Sequence, residues 1–281
     1  MRLPAGLVEG RAFLVFPGDD ARKRERALAS GADAVVMDLE DGVPADRKGA
    51  ARAALATYAA AEEGPARLVR VNDPLTELGS EDLSALAALP AGLVVVVPKA
   101  GPAALDRAAE IGRPLVALVE DGCGLRDAFA LAAHPAVAAL GLGSADLRAA
   151  LGLVSDDAGT ELLYARSLLV VASAAAGIRA PLDGPCLAVR DHTLLERETR
   201  TARGLGLGGK LCIHPDQVVT VQRSFAPSAD EIGQARRIVA EWERMIAGGR
   251  AVGLVDGVLV DRPVALRARA VVESAEGSGE R

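Results

Sequence analysis

The sequence predicts a closed (β/α)8 barrel of the α/β class with a C-terminal helix–hairpin–helix arm, and three observations carry that expectation. Short apolar runs recur eight times, separated by Ala-rich stretches with charges at helical spacing, a pattern that implies a parallel sheet. The runs lack polar alternation, as strands covered on both faces do. The chain has 281 residues, close to the roughly 250 that one such barrel needs. An open doubly wound sheet is the alternative, disfavoured because no G-x-G-x-x-G follows the first run.

In order, the strand candidates are Phe13–Phe16, Ala34–Leu39, Arg67–Val71, Leu93–Val97, Leu115–Val119, Ala138–Leu142, a weak one near Ile178–Leu182, and Lys210–Ile213. Helices are expected over Asp20–Ser30, Arg47–Glu63, Glu81–Leu89, Pro102–Ile111, Gly124–Ala133, Gly159–Ala176 and Asp191–Leu205. Residues 1–226 are then the barrel domain. An arm follows over 227–272. Ser228–Ile246 opens on a Ser-x-x-Glu capping box. Ala251–Val255 and Val258–Asp261 flank Asp256-Gly257, a two-residue hairpin signal. A last helix begins at Pro263, a favoured first-turn residue, and runs to about Val272. The polar, Gly/Ser-rich stretch 273–281 is expected to be disordered.

Composition excludes several classes. The net charge of −6 argues against a nucleic-acid partner, whose phosphates demand clustered Lys and Arg. Arg22-Lys23-Arg24 reads as a solvated helix face. No apolar run approaches the roughly 20 residues of a membrane span, and Met1–Gly10 lacks the apolar stretch of a signal peptide. Cys123, Cys186 and Cys212 are odd in number, lack metal-ligand spacing and lie in or near apolar stretches, so buried free thiols and a cytoplasmic setting are expected.

Barrel active sites form where the C-terminal ends of the strands meet. The residues there are Pro17-Gly18; Asp38, Glu40 and Asp41; Arg70 and Asn72; Lys99; Glu120; Ser144 and Asp146; Asp183; and His214. Ionisable groups of both signs at seven of the eight ends form the pattern of a catalytic rim. Glu120 and Asp146 follow neighbouring strands. Two carboxylates in one cavity repel unless a cation or proton intervenes, and all-oxygen ligands suit Mg²⁺. Ion pairs with Arg70 or Lys99 are the other reading. Arg70 offers a fork for a substrate carboxylate, or a salt bridge to Glu40 or Asp41. Lys99 has the position of a Schiff-base lysine, yet its acidic neighbours favour the charged, non-nucleophilic form; a metal could equally be the electron sink. His214 precedes Pro215, so a loop-fixing role is favoured over acid–base work.

Further residues carry a resemblance. Phe13-Leu14-Val15-Phe16-Pro17-Gly18, Ser30-Gly31-Ala32-Asp33-Ala34 and Asp38-Leu39-Glu40-Asp41 open the chain. Arg70-Val71-Asn72, Pro98-Lys99, Gly143-Ser144-Ala145-Asp146-Leu147 and Gly209-Lys210-Leu211-Cys212-Ile213-His214-Pro215 follow in order. Gln217-Val218, Phe225-Ala226-Pro227 and Asp256-Gly257…Asp261-Arg262-Pro263 complete a set covering nearly the whole chain. It resembles the citrate lyase β-subunit-like proteins of the aldolase/citrate lyase superfamily. The resemblance implies a TIM barrel assembled as a homotrimer or hexamer, with Mg²⁺ held by Glu120 and Asp146. It implies substrate binding by Arg70, with Lys99, Glu40 and Asp41 beside it, and an acid/base role for Asp261 at the next subunit's barrel mouth. Asp261 as a cap of the final helix is the competing reading. The implied reaction splits a citramalyl- or malyl-type 3-hydroxyacyl-CoA into acetyl-CoA and a 2-oxo acid, or runs the condensation, with the metal as electron sink in place of Lys99. A citryl-thioester lyase β subunit acting on an acyl carrier protein, and a non-catalytic binding paralogue, are the alternatives. Two departures stand out. Glu120-Asp121-Gly122 replaces the usual Glu-Thr, adding an acid and losing a hydroxyl beside a metal ligand. Gly42 replaces a common Ala, a change read as minor.

Overall fold

Eight parallel strands close on themselves in chain order in a computed structural model that describes residues 5–60, 64–156 and 159–279. They are β1 (Ala12–Pro17), β2 (Ala34–Asp38), β3 (Ala66–Arg70), β4 (Val94–Val97), β5 (Leu115–Val119), β6 (Val137–Leu142), β7 (Arg179–Asp183) and β8 (Gly209–Cys212), with β8 pairing back to β1. The closed barrel removes the open-sheet alternative.

Alternation along each strand sorts side chains into two layers. Phe13, Ala34, Val36, Leu68, Val94, Val96, Val116, Leu118 and Leu182 form the inner cluster, stoppered by Leu7 from the short helix Ala5–Val8. The intervening residues, such as Leu14, Val35, Val69, Val95 and Ala117, join the helices in the larger outer cluster. This parity positions the site. Asp38, Arg70 and Glu120 continue the inward series Ala34–Val36, Leu68 and Val116–Leu118, so they face the barrel mouth rather than the helices. Asp38 and Arg70 are also register partners between β2 and β3.

The helical stretch expected over Arg47–Glu63 is divided: a 3-10 turn at Ala45–Arg47, then helices Lys48–Ala53 and Leu55–Ala59. The Ala54 amide is shared between the Ala50 and Ala51 carbonyls, which tightens the chain there. Residues 61–63 lie outside the described residues. Three helices not anticipated are Ala5–Val8, Ser144–Leu151 and Gln217–Phe225; the last two follow immediately on a strand-end motif, which obscured their periodicity. The Gly-rich segment before β8 is tight for a related reason: Gly208 and Gly209 let β8 approach β7 and the Arg11 carbonyl.

Residues 1–225 and 226–281 are two compact units. In the second, helix Ala229–Ala247 starts with a complete capping box between Ser228 and Glu231. Strands β9 (Gly253–Val255) and β10 (Val258–Val260) form the hairpin, with Asp256 and Gly257 both at positive φ. The last helix, Arg262–Gly279, runs well past Val272, so the expectation of disorder from residue 273 is corrected through Gly279; Glu280 and Arg281 lie outside the described residues. Val271 and Val272 pack at the edge of the arm's own core of Ala235, Ile238, Met245, Val260 and Ala268, which carries the helix on into its polar end.

Candidate active site

Four of the carboxylates in the rim, Asp38, Glu40, Glu120 and Asp146, share the β2–β6 sector with Arg70 and Lys99. Asp38 organises one side. It accepts two parallel bonds from Arg70, Nε to Oδ1 at 2.8 Å and Nη2 to Oδ2 at 2.7 Å. It also accepts the amides of Glu40 and Gly42, each at 2.9 Å. Four donors on one buried carboxylate fix the turn after β2 and the plane of the guanidinium together. Gly42 is therefore no minor departure: a Cβ there would overlap Asp38 Oδ2. Sequence reasoning placed Asp38 in the rim but not among the binding residues. Its inward parity and its register with Arg70 were the signals.

Arg70 Nη1 lies 3.1 Å from Glu40 Oε2, close enough for an ion pair, although that oxygen has no hydrogen-bond partner among the described residues. The fork proper is thus occupied by Asp38, and the salt-bridge reading holds for Glu40 but not for Asp41, which is exposed. Nη2, bonded to Asp38, and Nη1, beside Glu40, form the outer edge of the guanidinium. Burial alone would push this guanidinium's pKa down; the bonds to Asp38, with the charges of Asp38, Glu40 and Glu120, outweigh it and raise it. The group is a permanent cation.

Lys99 donates its amide to Glu120 Oε2 at 2.8 Å and its ammonium to Glu40 Oε1 at 3.1 Å. The Glu40 bond, then the charges of Glu40, Asp41 and Glu120, raise its pKa despite partial burial. A Schiff-base lysine needs the opposite shift. Glu40 itself is raised by burial, with Arg70 and Lys99 pulling against it.

Glu120 is 3% exposed and its pKa is pushed up to about 7, first by burial and then by the charges of Glu40 and Asp146. The only hydrogen bond to its carboxylate among the described residues is the Lys99 amide. Gly143 makes room for it, since a Cβ there would overlap the Glu120 side chain. Asp146 stands in the first turn of helix Ser144–Leu151 and has no hydrogen-bond partner among the described residues. These features fit a divalent cation. Four carboxylates face two basic groups; Glu120 is buried with no more than one amide on it, and half-buried Asp146 has no bonded partner among the described residues. Among the described residues no three His, Cys, Asp or Glu side chains converge to hold a metal unaided. Two carboxylates with open positions for water and substrate oxygens is the arrangement Mg²⁺ accepts.

Asp121 clarifies the Glu-Thr departure. Its Oδ1 caps helix Gly122–Ala133 by accepting from the Gly124 amide at 2.7 Å, so the added acid is engaged at a helix terminus. Asp183 is corrected: it is fully buried, bonded by Arg166 at 2.8 Å and Lys210 at 2.6 Å, and held as a carboxylate by those charges against its burial. It ties β7 to β8 and lies beneath the rim. His214 accepts the Asp216 amide at Nδ1, which fits the loop-fixing role. Asn72 anchors the same region from below, donating Nδ2 to the Leu39 carbonyl and to Asp82. Cys186 and Cys212 are buried, but Cys123 is exposed on the first turn of helix Gly122–Ala133, a correction to its expected burial.

A cavity of about 440 Å³ opens beside this cluster, lined by Phe16, Pro17, Lys23, Arg26, Arg70 and His214, among others. Lys23, expected on a solvated face with Arg22 and Arg24, borders it together with Arg26. Lys23 and Arg26 are three apart in helix Ala21–Leu28 and so share one side of it. In the second unit, Asp261 accepts the Val264 amide at Oδ1, 3.1 Å, so the helix-capping reading holds within the arm. No helix among the described residues is long and apolar enough to cross a membrane.

If burial and like charges set the Glu120 pKa, pH should show it. The cation-free folded protein retains a proton that the unfolded chain releases in the ordinary carboxylate range. This contribution is complete below that range and is lost as pH rises through about 7. We expect the melting temperature of metal-free protein to fall between about pH 5 and pH 8 by more than that of Glu120→Gln, a difference of up to about 3 kcal/mol. Mg²⁺ should restore more stability at pH 8 than at pH 5. Parallel melting curves for the two proteins mean that Glu120 does not titrate in this window.

Fold and rim together define a class: a barrel enzyme with a carboxylate-rich, arginine-bearing mouth. Residues 11–215 match the family model described as HpcH/HpaI aldolase/citrate lyase, and the chain belongs to that family of lyases. It is 35% identical over 271 residues to a protein named (3S)-malyl-CoA thioesterase from Cereibacter sphaeroides, covering 95% of this chain and 94% of the relative. It is 31% identical to human mitochondrial citramalyl-CoA lyase, covering 96% of this chain and 87% of the relative. The solved structure of CitE from Mycobacterium tuberculosis with magnesium, acetoacetate and coenzyme A superposes with a TM-score of 0.83. It is 33% identical, and the match covers 96% of this chain and 99% of that one.

Proposed function

We propose that this lyase cleaves a 3-hydroxyacyl-CoA of the malyl or citramalyl type into acetyl-CoA and a 2-oxo acid, or condenses them. The observation that carries the reading is the pair Glu120 and Asp146, an under-neutralised carboxylate couple beside the outer edge of Arg70. Glu120 and Asp146 hold Mg²⁺, which supplies Lewis-acid stabilisation of charge developing on the oxo acid's oxygens. Arg70, oriented by Asp38, binds the substrate carboxylate through Nη1 and Nη2. Glu40, Asp41 and Lys99 complete the wall around it. The neighbouring cavity takes the coenzyme A arm, with Lys23 and Arg26 matched to its phosphates. Asp261 of an adjoining copy in a homotrimer or hexamer acts as acid/base on the acetyl carbon or the substrate hydroxyl. The free thiols support a cytoplasmic location.

The thioesterase name of one relative favours a second reading, in which the thioester bond breaks instead. One experiment separates them. Purified protein with Mg²⁺ is offered malyl-, citramalyl- and methylmalyl-CoA, and products are resolved by mass. Acetyl- or propionyl-CoA with a 2-oxo acid supports the lyase; free CoA with an intact hydroxy acid supports hydrolysis. No product from any ester overturns both.

Arg70→Lys keeps the charge but loses the planar group that Asp38 orients. We expect kcat/KM to fall by roughly tenfold to a hundredfold, with most of the change in substrate binding. Wild-type kinetics would reduce Arg70 to a structural ion pair.

A further inference from the structure

Lys99 has φ of 45°, one of two non-glycine residues with positive φ among the described residues; the other, Asp256, sits in the hairpin turn. A side-chain-bearing residue stays in this region only where its surroundings over-determine it. Packing does not hold Lys99, whose side chain is 51% exposed between buried Pro98 and Ala100. Hydrogen bonds do. Ala100 remains in line with β5, donating its amide to the Leu118 carbonyl at 3.0 Å. The Lys99 amide turns toward Glu120 Oε2 at 2.8 Å, and its ammonium reaches Glu40 Oε1 at 3.1 Å. A single residue at the end of β4 therefore bridges carboxylates that follow β5 and β2.

We propose that Lys99 is a positioning residue whose left-handed turn holds Glu120 with its amide and Glu40 with its ammonium, leaving the outer edge of Arg70 free for the carboxylate of a 2-oxo acid. This deepens the lyase reading and rests on it. The physical reason is competition for Arg70. Glu40 Oε2 is buried without a hydrogen bond, 3.1 Å from Arg70 Nη1. Remove the ammonium from Oε1, and Arg70 becomes the one cation paired with the Glu40 carboxylate among the described residues; Lys48 reaches only the Glu40 main-chain carbonyl. The guanidinium is then drawn toward Glu40 and away from substrate. The amide contact to Glu120 does not depend on the side chain, so the two halves of the role separate by mutation.

The test uses the full-length protein and four variants, Lys99→Met, Lys99→Arg, Lys99→Gly and Lys99→Ala. Mn²⁺ affinity is read by electron paramagnetic resonance, and oxalate affinity in the presence of Mn²⁺ by calorimetry. Lys99→Met should bind Mn²⁺ within about threefold of wild type but oxalate about tenfold more weakly, and Lys99→Arg should recover oxalate binding to within about threefold. Both small variants lack the ammonium, but only glycine relieves the backbone, so Lys99→Gly should melt about 2 °C or more above Lys99→Ala. Oxalate binding by Lys99→Met equal to wild type overturns the proposal, as does Lys99→Ala melting level with or above Lys99→Gly. If wild type itself binds no oxalate and releases no oxo acid from any thioester, the lyase reading falls and this inference with it. If wild type does both while Lys99→Met matches it, only the inference falls.

Discussion

If Glu120 and Asp146 hold the cation as proposed, replacing Glu120 with alanine is expected to reduce turnover at least about a thousandfold, because half of the protein ligands go, and the cation's charge stabilisation is worth several kcal/mol. The loss should have a particular form. Glu120 is buried behind Gly143 and touched by a single amide, so its removal deletes a destabilised charge rather than a structural pillar. The metal-free variant should therefore melt at or above metal-free wild type at pH 8, while its Mg²⁺-dependent stabilisation disappears. Activity lost together with a large fall in melting temperature would instead make Glu120 a folding residue. Full activity of the variant, or of wild type in excess EDTA, would remove the cation from the mechanism.

The second large effect is expected at Asp261. Its Oδ1 accepts the Val264 amide, which fixes the carboxylate plane at the head of the last helix and leaves Oδ2 without a hydrogen bond among the described residues. Capping and acid–base work are thus compatible: the cap supplies orientation. Asp261→Ala removes both, so its effect must be separated from loss of the cap. Asp261→Asn keeps the cap at full or nearly full strength but cannot exchange a proton. If Asp261 serves a neighbouring copy, Asp261→Asn should lower kcat about a hundredfold or more with an unchanged melting temperature. Mixing refolded Asp261→Asn with Glu120→Ala should then restore part of the activity, because some assemblies combine an intact mouth with an intact arm. Hetero-oligomers that form without regaining activity would overturn the role in trans. Loss of activity only in Asp261→Ala would reduce Asp261 to a cap. The hairpin gives such an arm surface to bury: Leu254, Val258 and Leu259 are exposed on β9 and β10.

Most of the fold was legible because barrel strands covered on both faces leave a strong local mark. Val94–Val97 and Leu115–Val119 can hardly be anything else. The capping box at Ser228 and the Asp256-Gly257 turn were equally local, each needing only neighbours three or four residues away. Helices beginning directly at a motif, such as Ser144–Leu151, were hidden because their first turn carries chemistry in place of an apolar stripe. The end of the last helix was misjudged since its polar tail is held by packing of the preceding turns, not by composition.

For the site, the sequence by itself determined the cast: which residues follow each strand, the placement of Glu120 and Asp146 after neighbouring strands, and the presence of Arg70 and Lys99 in the same rim. Chain order around a closed barrel makes consecutive strand ends neighbours, so this much follows from one dimension. Only the tertiary structure decided how they are bonded. Strand register put Asp38 opposite Arg70, so the fork already holds a carboxylate of the protein. Close packing of β7 against β8 sank Asp183 below the mouth with Arg166 and Lys210. The left-handed turn at Lys99 joined Glu120 to Glu40 across the opening. Each depends on sub-ångström register and backbone geometry between segments tens of residues apart, which periodicity and residue type do not encode.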